Sequence, residues 1–235
     1  MQTPNPLAYS ARLQEVFAQH ADPHLAAPMA KYMKNQFLFW GINQPKRKEL
    51  SQQLVRELGY PKEEDLGELC RLCFQIPYRE AQYVVQDLVR PQISRLGVSF
   101  LEVVEALIPQ KSWWDTVDFL APKLAGGLFL RFPGALELYT GKWIESPDIW
   151  FQRSAILSQL DFKSSTNADL LFGYILRRAD SKEFFVRKAS GWALRNYSKV
   201  NAPAVERFIR THALPALTKK EGLKWIARKN PHGVI

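Results

Sequence analysis

Asp148-Ile-Trp-Phe-Gln-Arg-Ser-Ala155 and Glu183-Phe-Phe-Val-Arg-Lys-Ala-Ser190 are two versions of one pattern: an acid, an aromatic two residues on, then a cation. Trp113 precedes Trp150 by 37 residues, and Trp150 precedes Phe185 by 35. A pattern that recurs every ~35 to 40 residues is the signature of stacked helical hairpins of HEAT type, each burying its apolar face only against its neighbours. The expected fold class is all-α: a curved solenoid of HEAT-like antiparallel helical repeats with a concave basic groove. The chain reads as one repeat domain over residues 1–235, with loosely ordered termini at about 1–9 and 229–235.

Working outward, helical spacing recurs along the chain. Leu13, Val16 and Phe17 fall three and four apart, as do Leu50, Leu54 and Leu58, the spacing that builds one apolar helix face. Strand signals are almost absent: there is no sustained alternation of β-branched residues and no Asn-Gly hairpin. Prolines at 23, 28, 45, 61, 77, 91, 109, 122, 133, 147, 203 and 215 predict breaks between short helices. Ser112 with Asp115, and Asp180 with Glu183, predict capping boxes. Ser146-Pro147-Asp148 predicts a cap, a first-position proline and a first-turn acid.

Composition narrows the partners. The 235 residues are 46% hydrophobic, enough for a sizeable core. No apolar run reaches the ~18 residues of a membrane span, and Met-Gln-Thr-Pro-Asn-Pro lacks the regions of a signal peptide. The expectation is a soluble cytoplasmic monomer with no membrane partner. Cys70 and Cys73 lie among Leu69, Leu72 and Phe74, and the four histidines form no companion motif. They read as core thiols, and no metal or cofactor is expected. Residues 1–174 carry 18 Lys/Arg against 19 Asp/Glu, whereas residues 175–235 carry 14 against 4. That asymmetry points to a polyanion such as a nucleic-acid backbone.

Chemistry concentrates in Lys111-Ser-Trp-Trp-Asp-Thr-Val-Asp118. Four residues apart on one helix, Trp114 and Asp118 face the same way, an aromatic wall beside a carboxylate. Such a pair suits a cation. Asp115 is explained by the helix start; Asp118 is not. Further on, Lys188, Trp192 and Arg195 share a helix face, and Lys199 extends it by four residues. Cations interleaved with an aromatic suit a phosphate backbone.

Four ordered blocks, MAKYMKNQFLFWGI (29–42), KSWWDTVD (111–118), DIWFQRSAILSQL (148–160) and KEFFVRKASGWALR (182–195), resemble the AlkD-like DNA glycosylases of alkylation repair. The resemblance runs from about residue 10 to about residue 228. It implies a HEAT-like repeat fold and excision of N3- and N7-alkylated purines, such as 3-methyladenine and 7-methylguanine, from double-stranded DNA. By motif position it places the catalytic carboxylate on Asp118, the aromatic cleft on Trp114 and Trp192, and a backbone-contacting arginine on Arg153. Tyr32 is placed near the DNA as well. No lysine lies within a helical turn of the Trp114/Asp118 face except Lys111, which sits before the helix, and this favours hydrolysis by water over a Schiff-base mechanism. A non-catalytic HEAT-type scaffold and an RNA-binding repeat protein are the rival readings, and both predict binding without base release.

Overall fold

The structure is a computed structural model and describes residues 5–229. It divides into two compact units, residues 1–111 and 112–235. The looseness expected of residues 1–4 and 230–235 lies outside the described residues. Residues 6–9 were expected to be loose too, but they already form the first turn of a helix. Asn5 caps that helix by accepting from Ala8 N–H at 2.9 Å, and Tyr9 is buried.

The first unit holds α1 (Pro6–Gln19), α2 (Pro23–Tyr32), α3 (Gln44–Leu58), α4 (Glu63–Gln75), α5 (Arg79–Val89) and α6 (Phe100–Leu107). Helix α1 packs on α3 and α4, α4 on α6, and α3 on α5. Packing outweighs propensity here: burying Leu13 or Phe17 contributes roughly 2 kcal/mol, against a few tenths for any helix preference. Cys70 and Cys73 are core residues of α4, and burial pushes the Cys73 thiol up to about 12. One buried carboxylate fixes the entry to α3. Glu80 accepts from the backbone N–H groups of Trp40, Gly41 and Ile42 at 2.9 to 3.0 Å. Gly41 has φ +88°, and a Cβ there would stand 2.0 Å from the Asp22 carbonyl oxygen, so this approach admits only glycine.

The second unit holds α7 (Trp114–Phe119), α8 (Gly126–Arg131), α9 (Gly134–Glu145), α10 (Ile149–Leu157), α11 (Ala168–Arg177), α12 (Phe184–Tyr197), α13 (Ala202–Thr211) and α14 (Ala216–Lys229). Two layers result. Helices α7, α10, α12 and α14 pack in succession. Behind them Thr140 of α9 shares a 2.8 Å hydrogen bond with Tyr174 of α11, and Phe172 of α11 stacks on Phe208 of α13 at 4.2 Å. This is the all-α helical-repeat architecture the period predicts. Among the described residues the sole strand-like pairing is one bridge, Leu38 to Tyr78.

The repeat aromatics touch one another. Trp113 meets Trp150 at 5.7 Å and Phe185 at 4.9 Å, and Trp150 meets Phe185 at 5.0 Å. The period also extends backward, since Trp40 and Tyr78 stand 38 residues apart and stack at 4.5 Å. Tyr78 precedes Trp113 by 35 residues.

Helix starts and breaks depart from expectation in detail. Helix α7 opens at Trp114 with Trp113 in the cap position, and α12 opens with Glu183 there, neither cap using its side chain. The capping boxes drawn from Ser112 and Asp180 therefore sit too early. Ahead of α10 the cap is Asp148, which accepts from Trp150 N–H at 2.8 Å, while Ser146 serves the turn before it. Pro28 and Pro122 do not break their helices. From Trp114 to Arg131 the backbone stays helical, widening to a π-turn over Leu120–Ala125. Pro122 has no N–H to offer the carbonyl of Asp118, and its ring crowds that turn. The wider turn accommodates it.

Candidate active site

The second unit gathers Trp114 and Asp118 from α7, Arg153 from α10, and Phe184, Phe185, Lys188, Trp192 and Arg195 from α12 around one cleft of about 370 Å³. The repeat explains the convergence, because α7, α10 and α12 are successive helices of one layer and present equivalent faces.

Asp118 and Arg153 form the centre. Arg153 Nε donates to Oδ1 at 2.8 Å and Nη2 to Oδ2 at 2.9 Å, a bidentate pair. The third nitrogen, Nη1, donates to the Phe185 carbonyl at 2.7 Å. Burial raises the Asp118 pKa from the ordinary carboxylate value and Arg153 pulls it back, leaving it at about 6. Nearby Asp115 adds to the rise. The Asp118 side chain is 18% exposed and that of Arg153 only 4%, so the carboxylate meets the cleft while the guanidinium lies behind it.

Three of the five Arg153 N–H donors thus go to protein oxygens, an arrangement that orients Asp118 at the cleft. The same reach occurs in the first unit, where Arg79 Nη1 donates to the Lys111 carbonyl at 2.7 Å. Each arginine bonds a carbonyl 32 residues ahead. The position is a repeat feature that the second unit has turned to a further use.

Trp114 and Trp192 are half-buried and line the cleft. Lys188 and Arg195 line it with Trp192. Lys199 does not: α12 ends at Tyr197, so the four-residue stride fails beyond it. Lys199 Nζ instead donates to Asn196 Oδ1 at 2.9 Å beside a separate cleft of about 380 Å³. Tyr32 belongs to the first unit, at the end of α2, and is 72% exposed. Lys111 donates its Nζ to the carbonyls of Gln75 and Ile76.

Three residues at or beneath the cleft were not among the sequence's site candidates. Phe184, 53% exposed, and Phe185 add aromatic wall; the pairing of aromatics at this repeat position was the available signal. Glu221 of α14 lies beneath Lys188 and Arg195, and its mark in the sequence is to be one of 4 acids among 14 cations. Among the described residues no group of three or more His, Cys, Asp or Glu converges as metal ligands would. No described helix is long and apolar enough to cross a membrane.

The fold and the cleft together define an all-α repeat protein with a carboxylate, aromatic walls and cations gathered in one place. Comparison with known proteins sharpens the class. The chain belongs to the family described as DNA alkylation repair enzyme, whose model matches residues 13–226. It is similar to a solved structure described as a predicted DNA alkylation repair enzyme from Enterococcus faecalis. The two are 36% identical with a TM-score of 0.82, over 88% of this chain and 97% of that one. No curated protein matches the chain.

Proposed function

We propose that the protein is a monofunctional DNA glycosylase that hydrolyses the N-glycosidic bond of positively charged N3- and N7-alkylated purines in duplex DNA. The observation that carries this reading is the convergence of Asp118 with Trp114 and Trp192, from two helices, in one cleft of a DNA alkylation repair family member. Alkylation gives the purine a positive charge. As the bond breaks, the base takes its electron pair and leaves neutral, and C1′ of the sugar becomes cationic. Ionised Asp118 stabilises that charge and orients the water whose oxygen bonds C1′ and whose proton is released. The tryptophan faces attract the same cations. Lys188 and Arg195, on the rim, take the phosphates.

The lesion's own charge supplies much of the drive, so neutral damaged bases such as uracil are poor substrates. Lys188 also stands in the cleft, but its Nζ is committed to Glu221 at 2.7 Å. Hydrolysis by water therefore remains the reading, and borohydride should trap no covalent adduct with DNA. The central experiment is incubation with duplex DNA carrying 7-methylguanine and assay of the free base. Wild-type protein should release it, whereas Asp118→Asn should lose most turnover and still bind the duplex. Excision at the parental rate by that variant would remove Asp118 from the chemistry.

A further inference from the structure

Glu221 is a carboxylate buried under the cleft, with its side chain 4% exposed. Its Oε1 meets Lys188 Nζ at 2.7 Å and its Oε2 meets Arg195 Nη1 at 3.4 Å. Lys224 of the same helix also reaches Oε1. Burial disfavours its charge, but hydrogen bonds from Lys188 and Lys224 outweigh burial and hold its pKa below the ordinary value. Gly191 makes the approach possible: a Cβ there would come within 2.4 Å of Glu221 Cβ and 2.9 Å of the Thr218 carbonyl oxygen. The acid thus sits against the backbone of α12, in contact with cations that precede and follow Trp192.

We infer that Glu221 is a positioning residue whose carboxylate holds Lys188 and Arg195 as one fixed pair of phosphate-binding cations flanking Trp192. The inference rests on reading the cleft as a DNA site. An ammonium has three N–H donors and a guanidinium five, so one bond to Glu221 leaves each cation donors to spare. Both side chains remain about one-third exposed, at 37% and 33%. A free lysine or arginine loses rotamer freedom when it grips a phosphate. Here that freedom is already lost on folding, and binding no longer bears the cost. A mere pin between α12 and α14 would need one ion pair; this carboxylate engages both cleft cations.

The test is a mutant cycle on affinity for undamaged duplex DNA at one salt concentration. Glu221→Gln should weaken binding roughly tenfold, the scale of re-immobilising two long side chains. In a Lys188→Met, Arg195→Met background the same change should alter affinity less than about twofold, because the two cleft cations it holds are gone. Equal losses in both backgrounds, or unchanged or tighter binding by Glu221→Gln, overturn the inference alone. No duplex binding by the wild-type protein overturns the DNA reading and the inference with it. Should Glu221→Gln lose cooperative melting, Glu221→Asp replaces it in the cycle: it keeps the charge but withdraws it by one methylene, and it must weaken binding only where Lys188 and Arg195 are present.

Discussion

Asp118 is a carboxylate asked to be two things. Burial favours its protonated form, the proposed chemistry needs it ionised, and Arg153 holds the balance near pH 6. Base release should therefore fall about tenfold per pH unit below 6 and level off above it, as single-turnover rates across pH 4.5 to 8 would reveal. Arg153→Met removes the charge that opposes burial, so the acid limb of that profile should move to higher pH. A limb that stays in place would sever the link between the two residues. Stability responds oppositely to activity. The folded pKa of Asp118 lies above its unfolded value, so between about pH 4 and 6 the folded state binds more protons and Asp118 contributes less stability as pH rises. Breaking this buried pair from either side should also destabilise the fold, by about 3 kcal/mol.

At the scale of helices, the close contact of α12 with α14 depends on one missing methyl group. Gly191→Ala would drive a Cβ into Glu221 Cβ and the Thr218 carbonyl, neither of which is the free end of a flexible chain. We expect about 1 to 3 kcal/mol of destabilisation, measured by urea unfolding, where a neutral result would mean the two helices are free to separate. The sequence revealed which residues build α7, α10 and α12, because Trp113, Trp150 and Phe185 keep the repeat and sit where the helices begin. It misled on the caps, since a serine or aspartate one to three residues early satisfies the same pattern and only the packed backbone selects among them. Pro122 was misread because a proline reports a missing N–H, not how the helix absorbs the loss. Trp114, Asp118, Trp192, Lys188 and Arg195 were readable by spacing within a helix. Glu221 was not, for its cleft partners are 33 and 26 residues away and nothing in a helical stride connects it to them.

For the molecule as a whole, charge decides what is held and how firmly. The excess of cations lies in residues 175–235, so duplex binding should weaken steeply with salt. Lys188→Met should reduce the slope of log affinity against log salt by about 0.9, the loss of one phosphate contact. Arg153→Met should leave that slope unchanged because its guanidinium faces inward; a flatter slope would restore Arg153 to the DNA-contacting set. The tryptophans carry one more consequence, an optical one. Trp40 and Trp143 lie in the core, whereas Trp114 and Trp192 border the cleft half-exposed. A nucleic acid filling the cleft changes the surroundings of the second pair and leaves the first pair as it was. Emission from Trp114 and Trp192 is thus an occupancy signal over the steady light of Trp40 and Trp143, and the protein reports on its own site without a label.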